Sequence, residues 1–185
     1  MMANEKKLKP MSDATFKGMT WLYKFADPIR NPERHLKKIP LKEGMVMVDY
    51  GCGPGSYTIP AAKLVGPKGK VFAVDIHPLA IKKIKEKATR ESLTNIEAIL
   101  VDSYNTGIQG SSVDLVLLID TLHMISNCDA LFQEIHRILK QDGLIFMDSG
   151  HTKMSRGRKI VESTGLFTIV ECRGHDMLVA PRAKQ

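Results

Sequence analysis

The segment Val46-Met47-Val48-Asp49-Tyr50-Gly51-Cys52-Gly53-Pro54-Gly55 constrains this chain more than any other. Its short apolar run reads as a buried parallel strand, and the run ends in a carboxylate followed by glycines at alternate positions. Glycine admits positive φ and lets a ligand lie directly on the backbone, so the segment predicts a tight, ligand-cradling turn. A dinucleotide turn has the spacing Gly-x-Gly-x-x-Gly and opens a helix onto a pyrophosphate. Here the third glycine arrives one residue early, and Ser56 takes the sixth place. Asp49 would repel a phosphate; it suits a ligand that carries an ammonium group and a positive centre.

The pattern repeats along the chain. Lys70-Val71-Phe72-Ala73-Val74-Asp75 reads as a second buried strand ending in an acid, and Asp75 lies twenty positions after Gly55. That is where a nucleotide-binding α/β unit places the carboxylate that accepts hydrogen bonds from both ribose hydroxyls. Ile96-Glu97-Ala98-Ile99-Leu100-Val101-Asp102, Val113-Asp114-Leu115-Val116-Leu117-Leu118-Ile119-Asp120 and Gly143-Leu144-Ile145-Phe146-Met147-Asp148 predict three more such strands. One strand ending in aspartate is commonplace, because aspartate favours turns. Three consecutive ones, with a glycine turn after the first, point to a nucleoside-type ligand. A dinucleotide site and a domain that has lost its ligand stay open on these residues alone.

Asp49-Tyr50-Gly51-Cys52-Gly53-Pro54-Gly55 resembles the first motif of the class I S-adenosylmethionine (SAM)-dependent methyltransferases, Asp/Glu-x-Gly-x-Gly-x-Gly. The resemblance covers residues 44–185, and Leu139-Lys140-Gln141-Asp142-Gly143 looks like the family's helix-to-strand turn, with Gly143 ending the helix. Within the family the chain is most similar to the broad methyltransferase type 11 group, which includes the quinone-biosynthesis C-methyltransferases. The resemblance implies an α/β fold: a doubly wound, mostly parallel, seven-stranded sheet with an antiparallel last strand. It implies SAM as cofactor, with Asp49, Gly51, Gly53, Gly55, Tyr57, Asp75, Ile76, Asp102, Ser103 and Asp120 around it. In this reading Asp75 holds the ribose and Asp102 sits near the adenine amino group, with Ser103 beside it. Ser103-Tyr104-Asn105-Thr106-Gly107-Ile108 departs from the family's usual Ala-x-x-Leu-Pro at that wall.

Composition agrees with a single domain. The chain has 185 residues, 43% of them hydrophobic, and no apolar stretch approaches the ~18 residues of a membrane span. Met1 to Asp13 is charged and lacks an apolar signal core, and Cys52, Cys128 and Cys172 form neither a disulfide framework nor a metal pair, so a cytoplasmic protein without a metal is expected. Cys52 reads as a small residue packed under the ligand. Residues 1–43 carry a net charge of +5, residues 151–185 one of +4, and the middle one of −2. Basic ends can recruit an acidic substrate or nucleic acid, or simply solubilise; no aromatic-interleaved RNA-binding pattern accompanies them.

Helices are expected over Ser56 to Leu64, Pro78 to about Ser92, Asp129 to Lys140 with Asn127 as cap, and Lys153 to Ser163. Phe167 to Cys172 and Asp176 to Ala180 then read as a final hairpin. Residues 1–43 form a helical segment apart from the core of residues 44–185. Phe16, Met19, Trp21, Leu22, Tyr23 and Phe25 crowd there before Pro28 and Pro32, and Glu33 to Ile39 reads as a further short helix. This segment either packs on the sheet or forms a lid over the methyl acceptor. The family's second lid is reduced here to a short helix, so the acceptor pocket is shallow, lined by the N-terminal segment, or completed by a second subunit.

Methyl transfer from a sulfonium needs alignment and exclusion of water, and a base only where the acceptor holds a proton. His123, three residues after Asp120, is the candidate for catalysis, as base or as pocket wall; His151, Tyr23 and Tyr104 rank behind it. The Asn/Asp-Pro-Pro-Tyr/Phe signature for planar nitrogens, the Pro-Cys pair for cytosine and the paired glutamates for arginine are all missing. The expected function is therefore SAM-dependent methylation of a small molecule. Methylation of a protein or RNA and a catalytically silent SAM-binding partner are the alternatives.

Overall fold

The computed structural model describes residues 7–148 and 153–183. Seven strands form one sheet: β1 (Val46–Tyr50), β2 (Lys70–Asp75), β3 (Ile96–Leu100), β4 (Val113–Leu118), β5 (Leu139–Asp148), β6 (Phe167–Arg173) and β7 (Asp176–Pro181). Their order is β3-β2-β1-β4-β5-β7-β6. The first five run parallel, and β7 lies antiparallel to both β5 and β6. This is the doubly wound sheet expected from the alternation of apolar strands and amphipathic helices. The strand order reverses at β1, between β2 and β4, and such a switch point opens a crevice at the strands' C-terminal ends.

The helices are α1 (Asp13–Arg30), α2 (Pro32–Leu36), α3 (Thr58–Val65), α4 (Pro78–Arg90), α5 (Cys128–Ile138) and α6 (Met154–Ser163). Strand alternation sends Val48 and Tyr50 to one core, with Leu131, Phe132 and Ile135 of α5. Met47 goes to the other, with Leu36 of α2 and Ala61, Ala62 and Val65 of α3. Asn127 caps α5 as expected, its Oδ1 accepting the Ala130 N–H at 3.1 Å.

Gly143 does not end a helix. Helix α5 stops at Ile138, Leu139 is already extended, and Gly143 lies within β5. The ladder with β4 jumps from Val113↔Leu139 to Leu115↔Leu144, so β5 bulges across this stretch. A side chain at Gly143 would meet Leu139 Cδ2 at 2.8 Å and the Val113 carbonyl at 3.0 Å, so glycine is needed there for room. Two strands also stop early: β3 ends at Leu100 and β4 at Leu118, short of Asp102 and Asp120. His151 lies outside the described residues.

The loop after β3 is clamped by a buried carboxylate that the sequence reading did not single out. Glu134 of α5 accepts from the Thr106 N–H at 2.8 Å, the Thr106 hydroxyl at 2.5 Å and Arg137 Nε at 2.6 Å. Arg137 Nη2 also donates to the Ile108 carbonyl at 2.7 Å. Burial opposes the charge on Glu134, yet Arg137 and Thr106 hold its carboxyl below the usual glutamate value. Glu134→Ala is expected to destabilise the protein near the low end of the ~3–5 kcal/mol for breaking a buried ion pair, because Arg137 is half-exposed. A depressed pKa stabilises the fold above the ordinary value of 4.5, and that contribution is lost as pH falls through the lower folded value. Urea denaturation at pH 7 and pH 4 checks both: the gap between wild type and variant should narrow at the lower pH.

Candidate functional site

A cavity of about 380 Å³ opens where β1, β2 and β4 end, at the switch point. Asp49, Gly51, Gly53, Tyr57, Asp75, Ile76 and Asp120 all line it. Of the three strand-end carboxylates, Asp49 and Asp75 thus meet at one cavity and Asp102 does not.

The glycine turn is pinned to β2. The Gly51 and Cys52 N–H groups donate to the Val74 carbonyl at 2.8 and 3.1 Å, and the Gly53 N–H donates to Asp75 Oδ2 at 2.8 Å. Each glycine has its own reason. A side chain at Gly51 would strike Thr121 Oγ1 at 2.5 Å, and one at Gly55 would strike Ile84 Cδ1 at 2.6 Å. Gly53 is different: its φ is +50°, and an added Cβ would find nothing nearer than the Gly51 carbonyl at 4.0 Å. That carbon would stand at the cavity lining, in the space a cradled ligand needs. Gly55 lies under the turn, packed on α4, and does not line the cavity.

A buried and a partly buried carboxylate, Asp49 and Asp75, stand at this end. Asp49 accepts from the hydroxyl of Thr58, the first residue of α3, at 2.5 Å. Burial pushes Asp49 up to about 6 against the lowering effect of the Thr58 bond, with the charge of Asp75 adding to the rise. Asp75 accepts from the His77 N–H through Oδ1 and from Gly53 through Oδ2, both at 2.8 Å. Burial raises its pKa too, against these bonds. Cys52 is buried, and burial beside the two carboxylates raises its thiol well above the usual value, which keeps it protonated and fits its packing role. Burial disfavours the charged form of both carboxylates, an environment that a cationic ligand would relieve.

Helix α1 forms the opposite wall through Phe16, Met19 and Tyr23. Phe16 stacks on His77 at 4.2 Å between ring centres. The Tyr23 hydroxyl donates to Asp120 Oδ2 at 2.8 Å, and the Ser56 hydroxyl donates to Asp27 Oδ2 at 2.5 Å. Asp120 has φ +52°, a costly backbone for a non-glycine residue, and its N–H donates to Asp148 Oδ1 at 2.8 Å. Tyr57 is held from behind. Its hydroxyl is 2.9 Å from His35 Nδ1, and His35 Nε2 is 3.0 Å from Asp176 Oδ2. With the neutral ring's proton on Nε2 facing Asp176, Nδ1 accepts from Tyr57.

Other expected residues fall elsewhere. Asp102 and Ser103 do not line the cavity. The Asp102 side chain is 65% exposed and pairs with Lys7 Nζ at 2.9 Å, and its carbonyl accepts the Leu8 N–H at 2.8 Å. Asp102 thereby fastens the strap of Leu8, Lys9, Pro10 and Met11, which lines the cavity. His123 sits on a single 3₁₀ turn (Leu122–Met124) that buries Leu122 and turns His123 away from the cavity wall. Its Nδ1 stands 3.8 Å from Asp120 Oδ1. Tyr104 lines the cavity, with its hydroxyl accepting the Asn127 N–H at 3.0 Å. His35, His77, Asp27, Asp176 and the strap were not foreseen. The sequence signal for His77 was its place before Pro78, as the cap of α4.

Comparison with known proteins bears on the fold and the family. The solved structure of a SAM-dependent methyltransferase from Aquifex aeolicus superposes with a TM-score of 0.80, covering 92% of this chain and 98% of that one at 23% identity. A demethylmenaquinone methyltransferase from Lactobacillus johnsonii is 31% identical over 61% of this chain and 47% of its own. An aklanonic acid methyltransferase from a Streptomyces species is 38% identical over 40% of this chain and 34% of its own. The chain thus spans half or less of the length of these two curated relatives. The fold is the one that SAM-dependent methyltransferases use. The family model for the methyltransferase domain matches residues 41–177, and the chain belongs to that family.

Proposed function

We propose that this protein transfers a methyl group from SAM to a small, largely apolar acceptor. The observation that carries this reading is one cavity lined by Asp49, the Gly51-to-Pro54 turn and Asp75 and also by an apolar side of Met19, Tyr23, Met124 and Ile125, with Phe16 stacked on His77 beside Asp75. The residues fit the cofactor: Asp75 for the ribose hydroxyls, Asp49 for the positive charge, Gly53 for close backbone approach, and Ile76 and Tyr57 as walls. When bound, SAM supplies an electrophilic methyl on a positively charged sulfur. The two relatives are named for demethylmenaquinone and aklanonic acid, and small molecules of that kind suit the apolar end. No observation favours a protein or RNA substrate over these. The free thiols of Cys52, Cys128 and Cys172 support a reducing, cytoplasmic setting.

The division of labour follows from the geometry. Residues 1–43 act as the lid on the acceptor side of the core of residues 44–185, since α1 supplies the apolar wall. Asp120 takes the proton from the acceptor atom as that atom is methylated, and Tyr23 fixes the carboxylate that does so. His123, outside the wall, is a positioning residue that acts through Asp120. The closed apolar end excludes water from the reaction.

Three measurements test this reading. SAM should bind and NAD should not, and SAM affinity should rise with pH through about 6. A cation beside Asp49 favours its charged form, so below that pH binding must expel a proton, and the slope approaches ~tenfold per pH unit. Asp75 shifts in the same direction. Titration calorimetry between pH 5 and 7 should show the slope in wild type and a flatter one in Asp49→Asn; a level wild-type profile would take Asp49 out of contact with the ligand's charge.

Gly53→Val should fold, because the site is open, yet bind SAM poorly, since the side chain fills the cradle and strains φ by about 1–2 kcal/mol. Normal SAM binding by this variant would mean the turn is not the cofactor platform.

With demethylmenaquinone and aklanonic acid as first acceptors, Asp120→Asn should lower turnover by ~10²–10⁴-fold with SAM affinity retained. Tyr23→Phe should lower it by ~10–100-fold, the loss of one charge-assisted bond. His123→Ala should have the smallest effect of the three and leave SAM affinity unchanged. A silent SAM-binding partner would bind the cofactor and form no S-adenosylhomocysteine with any acceptor.

A further inference from the structure

Helix α1 is apolar on two opposite faces, and among the described residues one of them is packed and the other exposed. The inward stripe of Phe16, Met19 and Tyr23 lines the cavity. The outward stripe carries Trp21, Leu22, Phe25 and Ile29, which are 62%, 61%, 61% and 87% exposed. Trp21, Phe25 and Ile29 follow one another at four-residue spacing, so they stand above one another on the helix surface. The rings of Trp21 and Phe25 meet edge-on at 4.8 Å. Four large apolar side chains at this exposure form one patch, which scattered surface residues do not.

The charges around the patch identify what covers it. Lys17 and Lys24 are exposed, and helical spacing puts both on the flank beside Trp21. The two acids of the helix are directed elsewhere: Asp27 accepts from Ser56, and Asp13 at the first turn is 3.7 Å from His77 Nε2. The solvent stripe therefore combines aromatic and aliphatic groups with flanking lysines; the acid on that flank, Asp13, is exposed but lies in the first turn, at the end of the helix away from Phe25 and Ile29. Residues 1–43 as a whole carry a net charge of +5. A second copy seated on this face would set lysine against lysine. An anionic bilayer surface instead complements both parts, taking the apolar stripe into the headgroup boundary and the lysines onto lipid phosphates.

We infer that α1 docks this protein on an anionic membrane surface through Trp21, Leu22, Phe25 and Ile29. No helix among the described residues is long and apolar enough to cross a membrane, so the contact is interfacial. A membrane-dissolved acceptor then meets the protein at the helix whose other face lines the cavity. That last step rests on the proposed transfer activity; the docking does not.

The test uses the full chain. Trp21 is the only tryptophan, so its emission reports on the patch directly. Phosphatidylglycerol vesicles should shift the emission to the blue and carry the protein into the pellet on sedimentation. Phosphatidylcholine vesicles should do so much less, and added salt should weaken the effect. Phe25→Ser with Ile29→Ser should weaken partitioning by about tenfold or more, since membrane affinity scales with the apolar area buried. Both side chains are exposed, and unchanged SAM binding and circular dichroism would show that the fold is intact. Lys17→Glu with Lys24→Glu should abolish the preference for phosphatidylglycerol. No blue shift with either vesicle, or equal binding to both, would overturn the inference. So would a blue-shifted Trp21 without vesicles together with concentration-dependent dimer mass in sedimentation velocity, which would assign the patch to a second copy.

Discussion

The ligand end of this molecule depends on where one carboxylate stands. Asp75 closes β2 and accepts one backbone N–H on each oxygen, from Gly53 on one side and His77 on the other. The first bond fixes the glycine turn after β1; the second fixes the entry to α4, which His77 also caps by accepting the Leu79 N–H at 3.2 Å. His77 in turn stacks on Phe16, so the same carboxylate sets the platform on which the N-terminal helix rests. Charge-assisted bonds of this kind contribute about 1.5–3 kcal/mol each. Each Asp75 oxygen retains acceptor capacity after these bonds, so the group that builds the site is also free to hold a diol.

Such an arrangement stores unfavourable energy in the empty protein. Asp49 is buried and Asp75 partly buried; burial raises the proton affinity of both, and the charge of Asp75 adds to the rise at Asp49. Asp120 holds left-handed backbone, costly for a non-glycine residue, at the rim of the same cavity. A group whose folded pKa is raised makes the fold less stable as pH climbs through that range, since the unfolded chain then binds fewer protons. A bound cation reverses the sign. Ligand binding and stability are thus coupled through Asp49, and the apolar cores on the two sheet faces supply the stability that this end gives up.

What the sequence made legible follows from the range of each signal. The strands, their order of appearance and the glycine turn rest on local periodicity and on acids at strand ends, and Lys70–Asp75 appears in the structure as read. Strand ends are less sharply encoded. β3 and β4 stop early, so Asp102 turns outward to Lys7, and the turn past Asp120 carries His123 off the cavity wall. Gly143 looked like a helix stop because glycine ends many helices, whereas here it makes room for Leu139 and the Val113 carbonyl in a bulged strand. The roof was the least legible part. Tyr23 and Asp120 are 97 residues apart, and His35 and Asp176 are 141 apart. No periodicity within a window of a dozen residues relates such pairs; they exist only once the sheet has set their distance.

The roof and the sheet also differ in how firmly they are held. The parallel strands of the core are joined by continuous ladders and by side chains with no exposure, such as Val48, Val74 and Leu117. Helix α1 contributes one fully buried large side chain, Phe16, and is otherwise tied to the ligand end by the bonds of Tyr23 to Asp120 and of Asp27 to Ser56. Contacts this few and this polar sit at the low end of the range of local stabilities within a fold, where ligand-gating segments are drawn from. On the lid role proposed for α1, Tyr23 would both close the site and order the acceptor end, so closure and alignment would be a single event: Asp120 receives its hydrogen bond from Tyr23 when that wall is in place.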